Sequence, residues 1–522
     1  MPAPRIWGAS LALGMSLVAS ACGATGASAT TVAKKANFHN RVLTIGSEVF
    51  PVTLDPTANA SAAIDEVVDY NVLQHLVQLA PNGQLVPVLA SSWTTSQQNK
   101  VYTFTIRQGV HFSNGDLLTA NDVVFSLKRV FAPGSTYPYA KIFDVASVQA
   151  TSSTTVQVTL TTPSWDWLFD LAAYSNGVIV DPKTVSTLGT DPIGTGPYEV
   201  TNEVNNYSIT LARNPHYFAT PARVSGVTFR YFASPSAEDA ALRSGAINVI
   251  DNLGDPSALQ SFKGRAGFKV ISGLTNGKVQ VTLNNAYGPL KNVLVRRAIA
   301  YATDKKAMIK VAEGGYGIPL GSDSVPADPY YLDLANVYPY NPAKALQLLR
   351  QAGYPHGFSL QLTLPPYPYA QLAGPLFASE MAKIGIHVTV VNVPFPLWLS
   401  RVFEGGDFQA TIIDHAEARD IGNYGTVGYY WHYAGTSQVA AMLSQGAAAS
   451  TKAAWIADYQ TVLRKITHDA VNDWLYVLPQ LTVAQRDVTG LPKSAYTESF
   501  DLSHVGFGGA LASSTTKLGY LS

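Results

Sequence analysis

Five ionisable residues, Asp414, His415, Glu417, Arg419 and Asp420, crowd positions 414–420. They follow a short apolar run over 410–413, introduced by Phe408, and precede Gly422, Gly425 and Gly428 interleaved with Tyr424, Tyr429, Tyr430, Trp431 and Tyr433. An imidazole among carboxylates can carry a proton, hold a cation or ligate a metal. Charges at the end of a buried strand, beside glycines and amphipathic rings, also make small-molecule pockets. A solvated turn next to core aromatics has the same pattern. His415, Glu417 and Asp420 bring a single histidine, which falls short of a metal centre, and no metal or cofactor is expected. No Gly-x-Ser-x-Gly elbow, His-Glu-x-x-His helix or phosphate loop occurs, so nothing in the sequence supports an enzyme.

The elements that must position these residues alternate between helix and strand. Strands are expected over 41–50, 101–107, 156–160, 208–212, 224–231, 279–283, 358–364, 386–393 and 409–413. Helices are expected over 64–76, 237–242, 294–312, 343–351, 375–384, 397–403 and 451–470. Thr119-Ala120-Asn121-Asp122 forms a capping-box variant that opens a helix with Val123, Val124, Leu127, Val130 and Phe131 on one stripe. Asn341-Pro342 starts a helix that Gly353 stops. This alternation argues for a parallel or mixed sheet with helices on its faces.

At 522 residues the chain exceeds one hydrophobic core and should divide into several lobes. Its formal net charge is zero, which points away from nucleic acid or an anionic surface as partner. Arg5, the apolar run 6–21 and the small residues Ala19-Ser20-Ala21 compose a secretory signal over 1–21. Cys22 follows as the only cysteine, so no internal disulfide can form. The segment resembles a bacterial lipoprotein signal, with Ala19 where Leu is usual. That resemblance implies lipid attachment at Cys22, with ordinary cleavage as the alternative. Residues 22–36, rich in Ala, Thr, Ser and Gly, are expected to be a flexible tether.

Several segments in order carry a wider resemblance. They are Leu85-Val86-Pro87-Val88-Leu89-Ala90 with Trp93, Tyr102-Thr103-Phe104, Arg107-Gln108-Gly109-Val110-His111-Phe112, and Asn114-Gly115. Residues 118–127 with Arg129, Pro192-Ile193-Gly194-Thr195-Gly196-Pro197-Tyr198, Val295-Arg296-Arg297-Ala298, 340–353 and Lys383-Ile384-Gly385-Ile386 continue the series. From about residue 41 onward the chain resembles the family 5 extracellular solute-binding proteins, the oligopeptide- and dipeptide-binding receptors of bacterial ABC importers. The resemblance implies an α/β, two-lobed fold like that of the type II periplasmic binding proteins, with an extra small αβ lobe. Lobe I would take 37–78, 192–275 and 489–522, the inserted small lobe 79–191, and lobe II 276–488. A monomer would close over a peptide and present it to a membrane permease, without covalent chemistry. An oligosaccharide, an opine-like compound or a nickel or other metal chelate is the alternative cargo. The location implied is outside the cytoplasm, lipid-anchored to the cell membrane or else soluble in the periplasm.

In dipeptide-binding relatives an acidic residue in the loop after the 409–413 strand pairs with the peptide amino group. The resemblance places Glu417 there, with His415 and Asp420 holding the loop. An ion pair between Glu417 and Arg419 is the structural alternative. Relatives carry an arginine for the peptide carboxylate near 364–370, where this chain has no cation. Phe395 stands where tryptophan is frequent. Tyr367, Tyr369, Trp398, Tyr424 and Trp431 are candidates to line the cleft, with core packing the alternative for each.

Overall fold

The computed structural model describes residues 40–508 apart from 60, 81, 133–134, 136, 138–143, 255, 498 and 500. The signal over 1–21, Cys22 and the tether lie outside the described residues. The strands that organise the molecule are β1 (Val42–Ser47), β2 (Ala90–Ser96), β3 (Val101–Ile106), β4 (Val145–Ser152), β5 (Thr155–Leu160), β6 (Tyr198–Val204), β7 (Ser208–Arg213) and β8 (Gly226–Tyr231). They continue with β9 (Val249–Ile250), β10 (Phe268–Leu283), β11 (Ile318–Pro319), β12 (Phe358–Leu364), β13 (Ile386–Asn392), β14 (Ala410–His415) and β15 (Asp473–Gln485).

One large mixed sheet runs β6-β7-β8-β1-β9-β15-β10-β14-β12-β13, with β11 paired to β15. Its first half makes β1 parallel to both β8 and β9. Its second half makes β12 parallel to β13 and β14. The two halves are joined by β10 and β15, paired antiparallel from Phe268↔Gln485 to Val281↔Asp473 with a register shift between Leu274 and Lys278. With 16 residues, β10 reaches roughly 50 Å, enough to belong to both halves. A separate sheet of order β2-β3-β5-β4 stands apart from it.

The apolar cores follow this division. Phe104, Phe112, Val123, Leu127, Val156 and Leu171 pack around the smaller sheet. Leu43, Ile64, Tyr198, Phe229 and Leu502 pack on the first half of the large sheet. Val279, Ile299, Leu362, Phe377 and Ile412 pack on the second half. Each such fully buried side chain contributes about 1.5–3 kcal/mol relative to exposure.

Local signals place most elements where expected, with four corrections. The capping box forms: the Asp122 carboxylate accepts the Thr119 amide and hydroxyl, each at 2.8 Å, and the helix runs Ala120–Phe131. Asn341 accepts the Lys344 amide at 2.9 Å and starts the helix Pro342–Gln351. The helix expected over 64–76 spans only Ala62–Val68, because Tyr70 takes φ 65° and turns the chain. The helix expected over 294–312 is two, Val293–Ala302 and Lys305–Ala312. Asp304 interrupts it by accepting the amides of Lys306 and Ala307, both at 3.1 Å, so its side chain replaces a turn of backbone bonding. The helix expected from Pro375 begins at Pro368, whose missing amide costs nothing in a first turn, and it continues through Pro375 to Ala382. The expected 397–403 helix is a short turn, Phe395–Trp398, followed by a π-helical segment, Leu399–Glu404.

Candidate functional site

β14 does not stop before its charges: it carries Asp414 and His415 as its last two residues. Pairing with β10 sets His415 opposite Lys278 and Asp414 opposite Val279. Strand alternation then sorts the side chains. Val279, Val281 and Leu283 join the aliphatic core, as do Ala410 and Ile412. Lys278, Gln280 and Thr282 face the other way, towards an aromatic cluster that includes Ile413, Tyr424, Tyr430, Trp431 and Trp474. Gly277 keeps this crossing tight, since a Cβ there would sit 2.6 Å from Asp414 Oδ1.

The loop after β14 folds back onto Lys278. Its buried ammonium forms an ion pair with Asp420 Oδ1 at 2.7 Å and donates to the Glu417 carbonyl at 2.8 Å and to the Asn276 carbonyl at 3.2 Å. His415 Nδ1 lies 3.4 Å from Asp420 Oδ2, and its Nε2 bonds the Tyr430 hydroxyl at 2.9 Å. Burial alone would raise the Asp420 pKa, but the Lys278 and His415 charges outweigh it and bring the group down to about 2. Burial would likewise lower His415 and Lys278. Both are raised instead, His415 by Tyr430 and Asp420, and Lys278 by Asp420 and Asp323. Asp323 itself is pushed up to about 8 by burial and by the neighbouring Asp420 charge.

His415 and Asp420 therefore hold the loop through each other and Lys278. Glu417 is the exposed member, and its side chain makes no hydrogen bond or ion pair among the described residues. The Glu417–Arg419 pair does not form. Arg419, at φ 53°, turns away to Asp166 at 2.9 Å and lies 3.4 Å over the Phe169 ring, both on the side of the smaller sheet. The Tyr174 hydroxyl donates to the Ala418 carbonyl at 3.2 Å, and Trp165 stacks on Trp455 at 6.0 Å. The smaller sheet's core is thus in contact with the candidate loop.

The aromatic candidates divide. Tyr367 is 36% exposed, stacks on Tyr369 at 5.6 Å and meets the edge of Phe395 at 5.4 Å. The Tyr369 hydroxyl accepts the Asp414 amide at 3.1 Å, which ties this patch to the end of β14. Trp398, Tyr424 and Trp431 are buried in the aromatic core. Trp398 stacks on Phe395 and donates to Thr411, and Tyr424 stacks on Trp431 at 4.3 Å, so their apolar area is already buried by protein.

His415, Glu417 and Asp420 each bring a ligand atom within 4.8 Å of the others, which is the one arrangement resembling a cation site found among the described residues. Lys278, Asp323 and Asp166, which were not singled out from sequence, complete the cluster together with Arg419. A signal existed for the first: Lys278, Gln280 and Thr282 recur with period two in a strand whose other face is aliphatic.

The family model described as bacterial extracellular solute-binding proteins, family 5 (middle), matches residues 84–438. Heme-binding protein A of Haemophilus influenzae is 28% identical over 390 residues, covering 67% of this chain and 71% of that protein. Glutathione-binding protein GsiB of Escherichia coli K12 is 27% identical over 356 residues, covering 67% and 68%. The periplasmic binding protein DppA from Helicobacter pylori, solved with the peptide STSA, superposes with a TM-score of 0.76 at 21% identity, covering 91% of this chain and 99% of that one.

Proposed function

Because the chain belongs to the bacterial extracellular solute-binding proteins of family 5, we propose that it captures peptides by lobe closure and delivers them to the membrane permease of an ABC importer. The fold is that of the type II periplasmic binding proteins. The proposed lobes are 37–78 with 192–275 and 489–522, the inserted 79–191, and 276–488, with β10 and β15 as the crossing strands. A guest touching more than one lobe binds the closed form better and shifts the population towards it.

The observation that carries the peptide reading is Glu417. It offers a carboxylate without an internal partner, on a loop fastened to a crossing strand. A peptide's terminal ammonium is the complementary group. Tyr367 and Phe395 offer ring surface beside it for side chains. A relative named for glutathione and a structural neighbour holding STSA are in keeping with short peptides. The chain acts as a monomer, and Cys22 carries the lipid that keeps it at the outer face of the membrane.

A guest bound only by the folded state raises the melting temperature. Short peptides with a free amino terminus should do so, and their N-acetylated forms should not. A shift produced by sugars or chelates and by no peptide would remove the reading. For the anchor, Cys22→Ala should move the protein from the membrane fraction to the soluble one; an unchanged distribution excludes lipid at Cys22.

A further inference from the structure

The loop that would receive a guest's ammonium already contains one belonging to the chain. Lys278 is 2% exposed, its backbone is fixed in register opposite His415, and its Nζ has an acceptor on three sides: Asp420 Oδ1, Glu417 O and Asn276 O. His415, Glu417 and Asp420 place donor atoms close enough to share one cation. A metal ion needs those donors deprotonated and free. Asp420 is committed to Lys278, and the two ring nitrogens of His415 face Asp420 and Tyr430. A fixed positive charge at this distance also repels a second one in a poorly solvated place.

We infer that Lys278 is the specificity-determining residue of this loop: its ammonium claims Asp420 and the Glu417 carbonyl, which takes Asp420 out of the set His415, Glu417 and Asp420, so the loop refuses a divalent metal and leaves one carboxylate, that of Glu417, for a guest bearing a single amino group. The inference rests on the reading that this loop faces the ligand. Lys278 acts here by holding Asp420. It need not touch the guest, and its influence passes through Asp420 and the Glu417 carbonyl.

The test is calorimetric titration of the full chain with zinc chloride. The wild type should show no single-site binding, while Lys278→Ala should bind one equivalent, with that binding lost in Lys278→Ala/His415→Ala. Single-site zinc binding by the wild type that His415→Ala abolishes overturns the inference. A folded Lys278→Ala that binds zinc no better than the wild type overturns it as well. If Lys278→Ala does not fold, ethylammonium chloride during refolding becomes the readout. Recovery with ethylammonium, and not with tetramethylammonium at equal ionic strength, supports an ammonium-shaped position, and no recovery overturns it. Peptide binding by the wild type is measured without metal, so a failure of the peptide reading is seen separately from a failure of this one.

Discussion

At the scale of single residues, the contrast between Glu417 and Asp420 decides what the loop can offer. The two acids stand three positions apart, yet Asp420 is neutralised inside the protein and Glu417 is left to water. Pairing Glu417 with a desolvated amine makes its loss costly: Glu417→Ala should weaken peptide binding by about 2–5 kcal/mol, a very roughly tens- to thousands-fold loss in calorimetric titration. Folding stability should stay within about 0.5 kcal/mol, because an exposed side chain without partners supports nothing. An unchanged affinity takes Glu417 out of the site. The charges over 414–420 were legible in sequence because they are consecutive. The partners Lys278 and Asp166 were not, because only the pairing of β10 with β14 and the approach of the smaller sheet bring them near.

Elements tell the same story with different residues. The Thr119–Asp122 box and the Asn341-Pro342 start could be read directly, since every group involved lies within four positions. The length of β10 could not. Only Val279–Leu283 alternates against a single core, whereas the rest, from Phe268, packs in varied surroundings between the halves. One position on β10 is under strict constraint: a Cβ at Gly273 would lie 1.5 Å from the Lys493 carbonyl oxygen. That close approach lets Ser494 accept the Leu274 amide at 3.1 Å and Ala495 donate to the Leu274 carbonyl at 2.9 Å. Gly273→Ala must push the 493–495 segment away, and a loss of about 1–3 kcal/mol is expected in the denaturant midpoint. A midpoint equal to the wild type would show that this segment is not held against the crossing strand.

At the scale of the whole molecule, buried acids set the response to pH. Burial, reinforced by Glu48, raises Glu238 to about 8. Burial also raises Glu313 to about 8 despite its bond from Tyr476, and Asp251 to about 7. An acid with a folded pKa above its unfolded one binds more protons in the native state across the interval between them, so stability falls as pH rises through that interval. Asp420 works in the opposite sense, and its contribution fades only as pH drops below about 4 towards its folded value of about 2. The melting temperature should therefore be higher at pH 5 than at pH 8.5. A curve rising steadily from 5 to 8.5 would contradict these environments. The stacked indoles of Trp165 and Trp455 bridge the smaller sheet's surroundings and the helix Lys452–His468. Two chromophores so near share their excited states, which gives the molecule an intrinsic optical gauge: the sign and size of its ultraviolet exciton couplet follow the gap between those parts without any attached dye.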